Sequence, residues 1–234
     1  MDIGKSIRFV FDDERWITKL LIAVVLSILS VLFIPAFFLI GYMVAVARNV
    51  KNGVKNPLPE WDDWGKLFMD GLYIFLAQMV YSLPMLILVC IASIATGGFS
   101  AVAEAGADPD ALSAMMGTTL FLMTCLLMIY GLVLVFISPA IVIQYILNDN
   151  KLGACFRFGE VFGIARANIA DILMILLVTL GINLVVGLVV WIPLLGMIVG
   201  VFAYPYVMFV SGHLYGQIAV KHFGGGSKEE QFSF

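Results

Sequence analysis

The chain has 234 residues, of which 62% are hydrophobic and only 12% are charged, and its formal net charge is -3. About a quarter of the residues in soluble globular domains are charged, so this composition excludes an ordinary soluble domain and indicates a membrane protein. The 13 lysines and arginines are scattered rather than clustered into a stripe, which argues against a nucleic-acid partner.

Four uncharged apolar runs follow one another along the chain, at residues 20–47, 72–103, 111–147 and 172–220. Each is longer than the roughly 20 residues that a helix needs to cross the hydrocarbon core. The runs lack the alternation of lipid-facing and lumen-facing residues that is typical of barrel strands. The sequence therefore predicts an all-α integral membrane protein.

The basic residues predict the orientation of these segments. They fall within residues 5–19, 48–66, 151–166 and 221–228, whereas the connections "TGGFSAVAEAGADPDALSA" and "WIPLLG" contain none. Lysine and arginine are enriched in cytoplasmic loops. We therefore expect a multi-pass protein of the cell (inner) membrane with both termini in the cytoplasm and the two uncharged connections outside.

Residues 20–47 must then fold back, because both of their flanks lie on the same side. Pro35 lies near the centre of this run, where its missing N–H and its effect on the preceding residue favour a break. Each arm is short for a full crossing, so the hairpin either spans thinly or is re-entrant. The alternative is one tilted helix, kinked at Pro35, with an external N-terminus, which would place four basic residues on the wrong side.

A unit of one aromatic and acidic surface segment followed by two apolar arms occurs three times. The surface segments are "FVFDDERW", "PEWDDWGKLF" and "FRFGEVFGIARANIAD". We predict three helical hairpins with about six hydrophobic segments, in units at about 9–50, 56–149 and 156–222. Together they form a single polytopic domain over residues 1–222, and residues 223–234 form a flexible tail.

The segment "PLPEWDDWGKLFMDG" combines a turn, acids and two tryptophans. Asp62 or Asp63 can cap the helix that follows, whose apolar face is predicted to lie in the membrane interface as an amphipathic helix. Trp61 and Trp64, with Trp16 in the first unit, are predicted interfacial anchors, since tryptophan is enriched at headgroup level. The alternative is that the acidic residues of this segment bind a ligand.

The motif "SGHLYGQ" contains the most informative polar residues. His213 and Gln217 are four residues apart and share a helix face, and counting from the charged ends places Gln144 and Gln78 at comparable depths, accompanied by Tyr215. We predict a polar, ligand-binding cluster in the cytoplasmic leaflet. The alternative is that these side chains only join one helix to another by hydrogen bonds.

Small residues and missing motifs limit the chemistry. Gly196 with Gly200, and Gly212 with Gly216, form two small-xxx-small pairs that favour close helix packing. We expect this packing within the monomer, and a dimer contact is the alternative. The three cysteines are expected to be small buried hydrophobes. We predict neither a metal nor a cofactor, because the acids lack ligand spacing, and no nucleotide-binding or nucleophile motif occurs. The acids are expected to be solvated charges, caps or partners of Arg15, Arg157 and Arg166.

The chain resembles a family of prokaryotic integral membrane proteins known only as a domain of unknown function. The matching segments are "FDDERWITKLLI", "GYMVAVARNVKNG" followed by "PLPEWDDWGKLFMDG", "FRFGEVFGIARANIADIL" and "PYVMFVSGHLYGQ", which together extend over nearly the whole chain. The resemblance implies a bacterial or archaeal cell-membrane protein with no assigned activity. It supplies no catalytic residues.

Taken together, these features favour a non-enzymatic membrane protein that binds a lipid-like or small hydrophobic ligand, or a partner protein, at the cytoplasmic leaflet. A small oligomeric transporter or channel subunit is the alternative, and an intramembrane enzyme that uses His213 is a third hypothesis. The expected partners are membrane lipids, together with a second copy of the chain or another membrane protein.

Overall fold

The computed structural model describes residues 1–192 and 195–224. Within these residues all the regular structure is helical and no strand occurs, which confirms the all-α prediction. Most of the predicted flexible tail, from residue 225 onwards, lies outside the described residues.

The described residues form nine α-helices in chain order. They are α1 (Ile3–Arg8), α2 (Trp16–Leu29), α3 (Ile34–Lys51), α4 (Trp64–Glu104), α5 (Pro109–Leu147), α6 (Leu152–Cys155), α7 (Phe158–Ala167), α8 (Ile169–Val190) and α9 (Leu195–Gly224). The described residues contain five helices that are long and apolar enough to cross a membrane, and these are α3, α4, α5, α8 and α9. The apolar helix α2, with the 3₁₀ turn Ser30–Leu32 that follows it, is shorter.

The chain folds back between α2 and α3. The break falls at Phe33, whose φ is 70°, and Pro35 lies in the first turn of α3, where a missing N–H costs nothing. Helix α2 then packs against α3. The predicted break near Pro35 is confirmed, and the alternative of one kinked helix is wrong.

The chain divides into two compact units. The first contains residues 1–77 and the chain from residue 139 onwards, and the second contains Gln78–Ser138. In the second unit α4 and α5 are joined by two hydrogen bonds: the Tyr130 hydroxyl donates to the carbonyl of Tyr81 at 2.7 Å, and Gln78 Nε2 donates to Ser138 Oγ at 3.0 Å. Apolar side chains on both helices are exposed, as lipid-facing surfaces of membrane helices are.

Helix α3 is the centre of the first unit, where it packs most extensively against α9. A Cβ atom on Gly41 or Gly71 would collide with the backbone carbonyl of Leu67 or Phe37 respectively, so glycine is what lets α3 and α4 approach closely. In these two pairs the later residue of α3 faces the earlier residue of α4, so α3 and α4 run antiparallel.

Gly212 and Gly216 provide the same close approach between α9 and α3. A Cβ atom on Gly212 would lie 2.5 Å from the carbonyl oxygen of Met43, and one on Gly216 would lie 2.6 Å from that of Ala47. The predicted packing of this glycine pair within the monomer is therefore confirmed. Because the contact moves forward along both helices, α3 and α9 run parallel.

Candidate functional site

A buried lysine holds the N-terminal motif and the loop after α3 together. Lys19 Nζ lies 2.7 Å from Asp13 Oδ2, 2.8 Å from Glu60 Oε1 and 3.0 Å from the carbonyl oxygen of Leu58. Its side chain is only 4% exposed. Arg15 lies 2.9 Å from the same Glu60 carboxylate. We call Asp13, Lys19 and Glu60, with their neighbours in these two segments, the charged end of the first unit.

Trp61 completes the contact between the loop and the helices. Its ring stacks on that of Tyr42 with centroids 4.2 Å apart and planes 19° apart, and its Nε1 donates to the carbonyl of Lys19 at 3.1 Å. The Tyr42 hydroxyl donates to the carbonyl of Pro59 at 2.8 Å. Trp61 is therefore partly buried against the core of the first unit.

The other two predicted anchors, Trp64 and Trp16, make aromatic contacts of their own. Trp64 lies 5.4 Å from Phe38 and is 41% exposed, and Trp16 lies 5.0 Å from Phe11. The anchoring role of the three tryptophans stays a prediction. The predicted helix cap is confirmed, since Asp63 Oδ1 accepts a hydrogen bond from the Lys66 amide at 3.0 Å.

His213 and Gln217 form a polar cluster with the N-terminal helix. The Ser6 hydroxyl lies 2.8 Å from His213 Nδ1, and Gln217 Nε2 lies 2.9 Å from Ser6 Oγ and 3.1 Å from His213 Nδ1. Gln217 also bonds to both backbone groups of Asp2, at 2.7 and 3.0 Å. The ring of Phe9 covers His213 with centroids 4.5 Å apart. This cluster, which we call the α1 latch, fastens α1 to α9.

The five residues predicted to form one ligand cluster have different surroundings. His213 and Gln217 are together in the α1 latch. Gln144 bonds instead to Glu160 on α7, Gln78 bonds to Ser138 in the second unit, and Tyr215 is half-buried on α9. Of the five, the described contacts join only His213 and Gln217.

A second buried charge group joins α3, α4 and α5 and was not predicted. Arg48 Nη1 lies 2.9 Å from Asp70 Oδ2, and the Tyr145 hydroxyl donates to Asp70 Oδ1 at 2.7 Å. Asp70 is 4% exposed. The sequence marked its position, because only Gly71 separates Asp70 from the apolar run 72–103, but Asp70 was taken only as a marker of the membrane boundary.

An apolar cleft of about 980 Å³ opens between α1, α2, α8 and α9. Ile7 at the end of α1 and Phe11 just after it line one side, and the Tyr206 hydroxyl donates a hydrogen bond to the carbonyl of Ile7 at 2.9 Å. The remaining lining residues are Trp16, Ile17, Leu20 and Leu21 from α2, Val178, Gly181, Ile182, Val185 and Val186 from α8, and Ile198, Val199, Phe202 and Ala203 from α9. Almost every one is hydrophobic, and the volume falls at the upper end of small-molecule sites.

The described part of the chain contains no cluster of three or more His, Cys, Asp or Glu side chains that could hold a metal ion. The acids pair with cations instead. Glu60 contacts Arg15 and Glu160 contacts Arg157, as predicted, at 2.9 and 3.4 Å. Among the described residues of the first unit, the apolar cleft offers a site for a hydrophobic ligand, with the α1 latch beside it.

Replacing Gln217 with leucine is expected to loosen α1. The change removes the bonds to Asp2 and Ser6, each worth about 1 kcal/mol, while keeping the side-chain size. We expect the amides of α1 to exchange with deuterium at least tenfold faster in detergent micelles, as measured by mass spectrometry. Gln144→Leu, which alters a bond to α7, is the control and should leave α1 unchanged. Normal exchange of α1 in Gln217→Leu would show that the latch does not hold this helix.

The long apolar helices define an all-α membrane protein. The model of the family described as "Protein of unknown function (DUF4013)" matches residues 25–195. The chain belongs to this family. Searches of curated proteins and of solved structures gave no significant match.

Proposed function

We propose that this protein is a non-enzymatic, multi-pass protein of a prokaryotic cell membrane that binds an acyl chain, from a membrane lipid or a similar hydrophobic molecule, in the cleft between α1, α2, α8 and α9. The observation that carries the proposal is the cleft itself, about 980 Å³ with an almost wholly hydrophobic lining. An acyl chain is the hydrophobic molecule that surrounds every membrane helix at high concentration, and it needs no polar partner.

The charged end supports an orientation with both termini in the cytoplasm. Basic residues flank α2 and α3 on the same side, and Lys221 lies near the end of α9, where it pairs with Asp171. Under the positive-inside bias this end of the first unit faces the cytoplasm. The acyl chain would then enter from the cytoplasmic leaflet, beside α1.

The α1 latch gives His213 and Gln217 a role in this proposal. Ile7 and Phe11, at the end of α1 and just after it, line the cleft, while Ser6 and Asp2 on the same segment bond to Gln217. The latch therefore positions one wall of the cleft rather than touching the ligand. Release of α1 would widen the entrance.

Gly181→Leu is the direct test, because it fills the cleft without disturbing the fold. Gly181 lines the cleft, and a Cβ atom there meets nothing within 4 Å. The probe is a palmitic acid analogue with a diazirine near the end of its chain, cross-linked to the full chain in detergent micelles. We expect at least a fivefold loss of cross-linking, on the order of 1 kcal/mol in binding, and cross-linked peptides from α8 or α9 in the unsubstituted protein.

Gly187→Leu is the matched control on the same helix. A Cβ atom on Gly187 also meets nothing within 4 Å, but Gly187 is not part of the cleft lining. Cross-linking should therefore equal that of the unsubstituted protein. Equal cross-linking in both variants, or labelled peptides that come only from other helices, would refute the acyl-chain site.

A further inference from the structure

The hairpin of α2 and α3 ends in an exposed apolar tip. The exposed fractions are 92% for Val31, 70% for Leu32, 57% for Phe33 and 60% for Ile34. Four consecutive large hydrophobic residues at the end of a hairpin form a surface that marks contact with a membrane or a partner. The depth of this tip in the bilayer decides whether lipid or a partner protein covers it.

The contact between α3 and α4 gives a first measure of depth. Because Gly41 faces Leu67 and Phe37 faces Gly71, the antiparallel register places Asp63 level with Ala45. Asp63 is exposed, and an exposed carboxylate in a non-helical segment belongs in water or among headgroups. Residues 34–45 of α3 cover about 16 Å, so the tip lies about that far inside the membrane surface.

The other arm gives a similar depth. Lys19 belongs to the charged end, through its contacts with Asp13 and Glu60. The part of α2 from Lys19 to Leu29 is about 15 Å long, and the 3₁₀ turn Ser30–Leu32 adds about 6 Å at most. Measured from the charged end to the tip, both arms are therefore short of the ~30 Å thickness of the hydrocarbon core. Helix α3 is long enough to cross only if all 18 of its residues are counted, and those after Ala45 lie at the level of the charged end.

Helix α9 extends further than the hairpin. Gly212 faces Met43 and Val46, and Gly216 faces Ala47 and Val50. This parallel register places Ile34 level with Phe202. Helix α9 begins at Leu195, so it continues about 10 Å beyond the tip. Its partner α8, with 22 residues, is about 33 Å long and can cross the whole core.

The turn at the tip satisfies polar groups internally. The Phe33 amide donates to the carbonyl of Ser30 at 2.9 Å, the Ala36 amide donates to the carbonyl of Phe33 at 3.2 Å, and the Ser30 hydroxyl donates to the carbonyl of Leu26 at 2.7 Å. Pro35 has no N–H to satisfy. Hydrocarbon requires such internal bonding, because it offers no hydrogen-bond partner.

We infer that α2 and α3 form a re-entrant hairpin whose tip, residues 31–34, inserts into the hydrocarbon near the middle of the bilayer and is covered there by lipid acyl chains. The hairpin enters and leaves through the same membrane surface, at the charged end. Helices α4, α5, α8 and α9 supply the full crossings.

Spin labels in lipid vesicles test this depth. The background carries Cys90→Ala and Cys125→Ala. Cys155 stays, because it is 0% exposed and burial raises the pKa of its thiol to about 12, which keeps it unreactive. A nitroxide is attached to Val31→Cys, and separately to Leu32→Cys, in the full chain reconstituted into phosphatidylcholine vesicles. Both side chains are exposed, so the substitutions remove little packing.

The measurement compares how often each nitroxide label collides with oxygen, which is concentrated in hydrocarbon, and with a neutral nickel chelate, which stays in water. Labels at Val54→Cys beside the charged end and at Trp191→Cys at the end of α8 are controls, since these residues are 46% and 88% exposed. We expect the chelate to relax the labels at 54 and 191 at least tenfold more than the labels at 31 and 32. The labels at 31 and 32 should be relaxed mainly by oxygen. If the labels at 31 and 32 are as accessible to the chelate as that at 191, the hairpin reaches the opposite surface or never enters the membrane, and the re-entrant assignment is wrong.

Discussion

Replacing Lys19 with methionine is expected to lower the free energy of unfolding by about 3–5 kcal/mol, the cost of removing one partner from a buried ion pair. Lys19 is 3% exposed, and its ammonium group contacts Asp13, Glu60 and a backbone carbonyl within 3.0 Å. Without it the Asp13 carboxylate, 8% exposed as a residue, stays buried and loses this cation. The measurement is chemical unfolding in mixed micelles, followed by tryptophan fluorescence because Trp61 lies at this contact.

Two further variants separate charge burial from simple loss of a salt bridge. Arg157→Met removes an exposed pair, with side chains 58% and 53% exposed at 3.4 Å, and should cost less than about 1 kcal/mol. Adding Asp13→Asn to Lys19→Met should recover part of the loss, because the unpaired charge is then gone. A cost for Lys19→Met no larger than that for Arg157→Met would show that the lysine does not join the two segments energetically.

The sequence predicted features that depend on local signals. Long uncharged runs predicted helices, and Pro35 with the basic flanks predicted the fold-back between α2 and α3. Asp63 was a predicted cap because its position before a helix is visible in the chain. The Gly212 and Gly216 pair predicted close packing, although only the structure shows that the neighbour is α3 of the same chain.

The contacts that the sequence did not predict are set by the direction in which side chains point around a helix axis. Counting residues gives depth, at about 1.5 Å per residue, and so placed Gln144 with His213. Depth alone does not decide which neighbour a side chain meets, and Gln144 turns towards Glu160 on α7. The same limit hid the contact of Asp70 with Arg48 and Tyr145, which depends on how three helices pack.

The α1 latch was hidden for another reason. Ser6 and Asp2 lie more than 200 residues from their partner Gln217 in the chain, in a short polar segment without a hydrophobic pattern. From the sequence, this segment was interpreted only as a source of positive charge, and no helix was predicted there. The latch depends on how α1 packs against α9, and that packing cannot be read from the sequence.

Replacing Gly71 with alanine is the second change with a large expected effect. Its methyl group would meet the carbonyl of Phe37 on α3 at a distance that no real contact reaches, and backbone cannot move aside as a flexible side chain does. The helices must separate, and they carry the Arg48–Asp70 ion pair one residue away. We expect the free energy of unfolding to fall by about 3 kcal/mol, the upper part of the range for overpacking. The measurement is the same unfolding assay in mixed micelles.

Gly131→Ala on α5 is the matched control, because it makes the same chemical change in another apolar helix where a Cβ atom meets nothing within 4 Å. It should be neutral or slightly stabilising, since alanine favours helix over glycine by up to about 1 kcal/mol. Gly41→Ala, which collides with the carbonyl of Leu67 from the opposite helix, should behave like Gly71→Ala. If both contact glycines tolerate alanine as well as Gly131 does, α3 and α4 are not as close as this packing requires, and the register that fixes the depth of the hairpin tip fails with it.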